Sequence, residues 1–355
     1  MEINGELVNE EVRYADLGLS QALMQAVQKK GYVQATPVQG GAIPYFMEYR
    51  DVIAKAPTGT GKTFAFGIPM VEHIDPESTD VLGLVLAPTR ELAIQIRDEL
   101  RDLCAFKEGV RSVCLYGGQP IDKQITQLKK RPQIVVATPG RLMDHVKRRT
   151  LRLDKVETVV LDEADRMLDM GFIHDVKKIL KWLPARKQTM LFSATMPPEI
   201  ADLVNSLLRS PVRVAVDPVS SPVEAIRQSV YFVDKGNKTR LLAQLIQELA
   251  VKNALVFTRT KHGANKVARE LSKYGITAAA IHGNKSQTAR QQALADFRAG
   301  KLQALVATDI AARGLDIEEL SHVFNYNLPE VPETYVHRIG RTGRAGRGGE
   351  AIAFC

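Results

Sequence analysis

Two α/β domains, each a doubly wound parallel sheet, are what this chain predicts, and three observations carry the prediction. Short apolar runs recur with helical intervals between them, each run ends in a polar or glycine-containing turn, and the rhythm breaks once, over 209–226, before restarting. Strands alternating with helices imply parallel sheets whose ligands gather at the carboxyl ends of the strands. At 355 residues the chain is too long for one ordinary core and suits two.

In order, Ser20 as N-cap, the stripe Ala22, Leu23, Ala26 and Val27, and a closing Gly31 predict a first helix. Tyr14 precedes it and the run Gly31 to Gln39 follows. By themselves these residues leave Tyr14 open as a core aromatic and Gln39 open as a turn cap. Next, Val52, Ile53, Ala54 and Lys55 read as a strand that delivers Thr58, Gly59, Thr60, Gly61, Lys62 and Thr63 into a helix. Ala56 stands where the usual phosphate loop has glycine, but the strand before and the helix after are the context the motif requires. Gly59 and Gly61 let backbone N–H groups turn inward, Lys62 reaches β- and γ-phosphates, Thr63 can ligate Mg²⁺, and the helix N-terminus faces the anion.

Four more strands lead into turns. Leu84–Leu86 runs into Pro88, Thr89 and Arg90; Ile134–Val136 into Thr138, Pro139, Gly140 and Arg141; Thr158–Leu161 into Asp162, Glu163, Ala164 and Asp165; Met190–Phe192 into Ser193, Ala194 and Thr195. An acidic turn alone would be a solvated one. Beside a phosphate loop, Asp162 suits Mg²⁺ and Glu163 suits orienting and deprotonating a water.

Pro211, Pro218, Pro222 and the pair Ser220, Ser221 mark a linker. The expected division is 1–210, a linker 211–226, and 227–355. Strands are expected in the second domain at Ser229–Val233, Ala254–Phe257, Thr277–Ile281, Gln303–Ala307, His322–Asn325 and Glu350–Phe354. Near its end Arg338, Arg341, Arg344 and Arg347 recur every third residue among glycines too dense for a helix interior. Guanidinium groups held in place suit phosphoryl transfer, where one finger is worth about 10³ to 10⁵ in rate.

The balance of 48 Lys plus Arg against 40 Asp plus Glu, net +8, suits a polyanionic partner. Cys104, Cys114 and Cys355 form no CxxC pair, and the seven histidines show no ligand-like spacing, so neither a disulfide framework nor a zinc site is indicated. No apolar stretch reaches membrane-spanning length, and the start of the chain lacks a basic-then-apolar run. A soluble, cytoplasmic protein is expected.

Taken together, these motifs resemble the core of the DEAD-box RNA helicases from end to end. The segments VFTRTKHGAN, AAIHGNKSQ and VATDIAARGLDIEEL are most similar to the bacterial RhlE-like subgroup. The resemblance implies two tandem RecA-like domains, with ATP and Mg²⁺ as cofactors. It makes Gly31 to Gln39 a Q motif, with Gln39 reading the adenine edge and Tyr14 stacking on the base. An amide that accepts from adenine N6 and donates to N7 would reject guanine. Ala35 replaces the proline usual at that position. Thr58 to Thr63 become the ATP loop, Asp162 to Asp165 the DEAD motif, and Asp165, Ser193 and Thr195 the link between hydrolysis and unwinding. Asp316 would bind the ribose, and Arg341 and Arg344, in HRIGRTGR, would be the fingers. RNA contacts would come from Pro88, Thr89, Arg90, Gly117, Gly118, Thr138, Pro139, Gly140 and Arg141, with Thr308 and Asp309 from the second domain. Such groups suit phosphate and 2′-OH contacts that carry little sequence information.

The resemblance therefore implies an RNA-stimulated ATPase that clamps RNA and locally separates short duplexes without sequence preference. An ATP-gated RNA clamp or remodelling platform uses the same motifs. Single-stranded and short duplex RNA, and ribosome-assembly or RNA-decay proteins, are the partners it implies, with a monomeric chain and no membrane. Family cores continue past the last strand with a closing helix, so a chain stopping at Cys355 is expected to be truncated, with a basic tail missing.

Overall fold

Short apolar strands, most of them buried at every position, build two sheets, one in each of two units, Met1–Pro218 and Val219–Cys355. The computed structural model describes residues 1–7, 11–56, 59–216, 226–312, 320–330, 332–343 and 348–355.

The strands of the first unit are β1 (Glu2–Ile3), β2 (Glu6–Leu7), β3 (Val52–Lys55), β4 (Gly83–Leu86), β5 (Ser112–Leu115), β6 (Ile134–Ala137), β7 (Thr158–Leu161), β8 (Gln188–Ser193) and β9 (Val212–Ala215). They form one sheet in the order β2-β1-β9-β3-β8-β7-β4-β6-β5. From β9 to β5 every pairing is parallel, and only the β1–β2 hairpin is antiparallel to its neighbours. Both faces are covered, which is why the strands read as unbroken apolar runs. Within β7, Val159 and Leu161 enter one core and Val160 the other. The first core is dominated by Phe46, Phe66 and Phe192, the last two with ring centroids 5.4 Å apart. Each such buried side chain is worth about 1.5–3 kcal/mol. Rigidity there holds the turns at the strand ends.

The second unit contains β10 (Ile226–Tyr231), β11 (Ala254–Phe257), β12 (Ala278–Ile281), β13 (Ala304–Ala307), β14 (His322–Asn325) and β15 (Gly349–Phe354). All are parallel, in the order β10-β15-β14-β11-β13-β12.

The tandem doubly wound architecture is as expected, with local differences. Val212–Ala215, assigned from sequence to the linker, is a strand of the first sheet paired to β3. Its alternation, Val212 and Val214 buried and Arg213 exposed, is concealed by the prolines around it. β10 begins three residues before the expected Ser229 and ends at Tyr231; as an edge strand it buries little, which blurs its pattern. β1, β2 and β5 were not anticipated, being too short or too polar at their borders to stand out. Ser20 occupies its N-cap position, yet its hydroxyl donates to Glu72 Oε2 at 2.9 Å instead of capping. Gly31 closes that helix with φ +75°. Among the described residues no helix is long and apolar enough to cross a membrane.

Candidate nucleotide and RNA sites

The first sheet's carboxyl edge collects the turns after β3, β4, β5, β6, β7 and β8. Behind β3, Gly59 and Gly61 have φ of 82° and 85°, a region that favours glycine. A Cβ on Gly61 would lie 2.5 Å from Gln39 Nε2, so space as well as strain requires glycine there. Lys62 opens the helix Lys62–His73 and is buried. Its Nζ lies 3.6 Å from Asp162 Oδ1, beyond hydrogen-bond reach, and has no hydrogen-bond partner among the described residues. A buried ammonium with its donors unspent is costly unless an anion takes them. That orphaned amine is what fits the loop to a polyphosphate.

Asp162 follows β7 and is 2% exposed. Burial pushes its carboxyl up to about 6, against the pull of Lys62. Its Oδ1 accepts the Glu163 N–H at 2.9 Å. Thr63, also buried, is the neighbouring hydroxyl suited to a phosphate-bound Mg²⁺. Glu163 takes φ 52°, a left-handed conformation that costs a non-glycine residue about 1–3 kcal/mol. Its Oε2 accepts from Arg166 Nη1 at 2.5 Å, an ion pair with both side chains under 10% exposed.

Asp165 and the Ser193–Thr195 turn come together, although thirty residues apart. Asp165 Oδ2 accepts from Thr195 N and from Thr195 Oγ1, each at 2.9 Å. Ser193 Oγ accepts the Asp165 N–H at 3.2 Å and donates to Thr195 O at 2.6 Å. Any shift of the DEAD turn therefore moves the strand end after β8.

The adenine residues need correction. Tyr14 is 2% exposed and packed in the first core, so its ring presents no open face for a base. Its hydroxyl donates to Gln39 Oε1 at 2.5 Å. The same oxygen accepts the Thr36 N–H at 2.8 Å, capping the helix Pro37–Met47, and Gln39 Nε2 donates to Gly61 O at 2.9 Å. Both lone pairs of Oε1 are thus taken, and the amide retains one donor. A donor alone suits N7 of adenine and guanine equally, so Gln39 in this arrangement does not discriminate between them. The exposed aromatic here is Tyr32, 47% exposed and edge-on to Phe64 at 5.5 Å.

Of the RNA residues, Thr89 caps the helix Arg90–Leu103 by accepting the Leu92 N–H at 3.3 Å, with Pro88 buried before it. The Arg90 guanidinium lies against Gly118, where a Cβ would collide with it. Thr138 and Pro139 start the helix Pro139–Lys147; Gly140 is open, and Arg141 Nη1 donates to Gln119 O at 2.9 Å. These turns share one edge with the phosphate loop.

In the second unit, Thr308 and Asp309 follow β13. The Asp309 carboxylate is already held by Arg338, Nε to Oδ1 at 2.6 Å and Nη2 to Oδ2 at 2.7 Å. Arg338 also donates to Asn325 Oδ1 and Asn327 O, and lies 4.9 Å from the Phe257 ring centroid. The arginine series is therefore not uniform, because its first member is a buried structural cation. Arg341 is half-buried. Thr58, Asp316 and Arg344 lie outside the described residues.

Sequence reasoning missed Arg166 and Glu99. Arg166 was findable, being one helical turn from Glu163. Burial raises the Glu99 pKa, opposed by Gln95 and by Thr63, which sets this carboxyl of the helix Arg90–Leu103 near the Mg²⁺-ligand candidate of another helix. Nothing local in the sequence announces that contact.

Residues 36–203 match the DEAD/DEAH box helicase family and residues 237–346 the helicase conserved C-terminal domain. The ATP-dependent RNA helicase CshA of Listeria monocytogenes is 48% identical over 96% of this chain and 66% of its own length. The DEAD-box ATP-dependent RNA helicase CshA of Geobacillus kaustophilus is also 48% identical, over 96% of this chain and 73% of its own. The chain thus spans about two thirds of the length of these relatives, which carry the CshA name and not that of RhlE. Among solved structures, S. cerevisiae Dbp5 bound to RNA and ADP BeF3 aligns with a TM-score of 0.85 at 30% identity, covering 97% of this chain and 89% of that one. A DEAD box protein from Methanococcus jannaschii aligns at 0.57 and 39% identity, covering 97% and 93%.

Proposed function

Since the chain belongs to the DEAD-box helicase family, we propose that it is an RNA-stimulated ATPase that couples ATP binding and hydrolysis to clamping RNA and separating short duplexes. One observation carries the nucleotide half: at the mouth of a left-handed glycine loop, the buried Lys62 ammonium has no hydrogen-bond partner among the described residues. The loop amides and Lys62 bind the β- and γ-phosphates. Thr63 and Asp162 would hold Mg²⁺, which when bound would neutralise charge developing on the phosphates. Glu163, released from Arg166, orients the attacking water and takes its proton. Arg341 and Arg344 of the second unit stabilise the transferred group. For the base, Tyr32 supplies the stacking face and Gln39 a donor to N7.

RNA lies along the turns at Thr89, Arg90, Gly118 and Thr138 to Arg141. Asp165 conveys the state of the DEAD turn to Thr195. The proposed setting is the cytoplasm, with the chain acting as a monomer on single-stranded and short duplex RNA, and with ribosome-assembly or RNA-decay proteins as partners. The deciding experiment measures ATP hydrolysis with and without single-stranded RNA, then strand separation of a short duplex. Stimulation and ATP-dependent separation are expected. An RNA-independent rate would refute the reading, and stimulation without separation would leave an ATP-gated clamp.

A further inference from the structure

Behind the Gly117–Gly118 turn lies a polar network that the proposed chemistry does not use. Gln124, from the helix Ile121–Leu128, and His145, from the helix Pro139–Lys147, are both 0% exposed. Gln124 Nε2 donates to Tyr116 O at 2.8 Å and to Gln119 Oε1 at 2.9 Å, bracketing the two glycines. Because a carbonyl only accepts, Tyr116 O fixes the amide's orientation and turns its Oε1 to His145 Nε2, 3.0 Å away. His145 Nδ1 pairs with Thr150 Oγ1 at 2.9 Å. Burial, reinforced by the nearby Arg141 charge, lowers the His145 pKa and favours a neutral ring, with its hydrogen on Nε2. From the same helix as His145, Arg141 reaches Gln119 O, while Arg90 covers Gly118 from the helix after β4.

We propose that Gln124 and His145 are positioning residues for RNA: their buried amide–imidazole pair sets the Gly117–Gly118 turn in register with Thr138 to Arg141. The inference rests on the RNA-binding reading above and adds the device that makes the grip preorganised. A strand running over two turns gains affinity only if both already stand where its successive phosphates fall. A fully bonded buried network supplies that rigidity, and a half-broken one leaves an unsatisfied group that drives the loop elsewhere. Neither residue touches the RNA.

The test uses the full chain and a homopolymeric single-stranded RNA, reading the RNA concentration that half-maximally stimulates ATP hydrolysis. Gln124→Leu removes both arms. Gln124→Glu keeps the shape and an oxygen toward His145 but sets a carboxylate oxygen against Tyr116 O. Each should raise half-saturation about ten- to hundredfold, with ATP KM and the rate at saturating RNA within about twofold of the parent. His145→Leu should behave alike, whereas His145→Gln, whose amide still donates to Gln124, should stay within about threefold of the parent. Hydrogen exchange at 116–119 should rise in the impaired variants and not in His145→Gln. Unchanged half-saturation in folded variants would overturn the proposal. So would equal losses in ATP KM and RNA response, the pattern of general destabilisation. Should Gln124→Leu not fold, the His145 pair decides alone. A parent chain that RNA does not stimulate would overturn the functional reading itself, and this inference with it.

Discussion

The two units share one architecture, yet they spend their buried charges differently. In the first, Lys62 and Asp162 stand 3.6 Å apart, and among the described residues the lysine's donors meet no hydrogen-bond acceptor. In the second, Arg338 is consumed on Asp309, Asn325 and Asn327. A buried cation with donors left over marks where a ligand completes the structure. A buried cation fully bonded marks where the fold has completed itself. That criterion supports the proposed phosphate role of the Lys62 loop, and the Arg338 corner is a brace that fixes the end of β13 against β14. Spacing alone, which puts Arg338 in series with Arg341, cannot tell these cases apart.

The contrast breaks most easily at the arginines. Replacing Arg341 and Arg344 together with alanine should cut RNA-saturated hydrolysis by about 10³- to 10⁵-fold with ATP binding little altered. A double variant at the parental rate would confine the chemistry to the first unit. Within that unit, Glu163→Gln should lower single-turnover hydrolysis by about 10²- to 10⁴-fold while ATP-dependent RNA binding persists, because phosphate loop and Mg²⁺ ligands remain. Near-parental turnover would remove Glu163 as the base.

Arg338→Met tests the brace. Leaving Asp309 without its partner should destabilise the second unit by about 3 kcal/mol, seen by calorimetry as a lowered second transition with the first unmoved. Unchanged melting would mean that the bidentate pair is dispensable. Tyr14→Phe is smaller: without the hydroxyl that ties it to the core, the Gln39 amide is free to turn its Oε1 toward adenine N6, and the ATP-to-GTP ratio of kcat/KM should rise by about threefold. A ratio that stays level would show that the hydroxyl does not limit base selection.

The mildest effect spans both units. Burial lowers the pKa of His73 and His145 in one and of His282 and His322 in the other. Folded pKa values below the unfolded value of about 6.5 mean that the unfolded chain binds more protons just under it. The stability these rings contribute is complete above about pH 6.5 and is lost as pH falls through their folded values. In the first unit the raised Asp162 value opposes the histidines, so the clean readout is the second unit's transition, which should weaken in denaturant titrations from pH 7.5 to 5.5. Growing stability over that range would reverse the assigned shifts.

The chain itself determined the strand–turn–helix rhythm, the two-domain count and the identity of the strand-end turns. These follow from periodicity and composition within a few residues, where the backbone's own geometry enforces the pattern. Glycine at 59 and 61 was legible for the same reason. The partners were not. Gln39 with Gly61, Asp165 with Thr195, Gln124 with His145, and Arg338 with Asp309 lie from twenty-one to thirty residues apart in sequence. Each pair forms because separate elements bring donor and acceptor within about 3 Å, a condition that no local pattern encodes. Tyr14 shows the limit most clearly: the motif allowed it to be a stacking ring or a core aromatic. Only packing against the first core, which seals its ring and aims its hydroxyl at Gln39, decided between them, because burial depends on what other parts of the chain place around a residue.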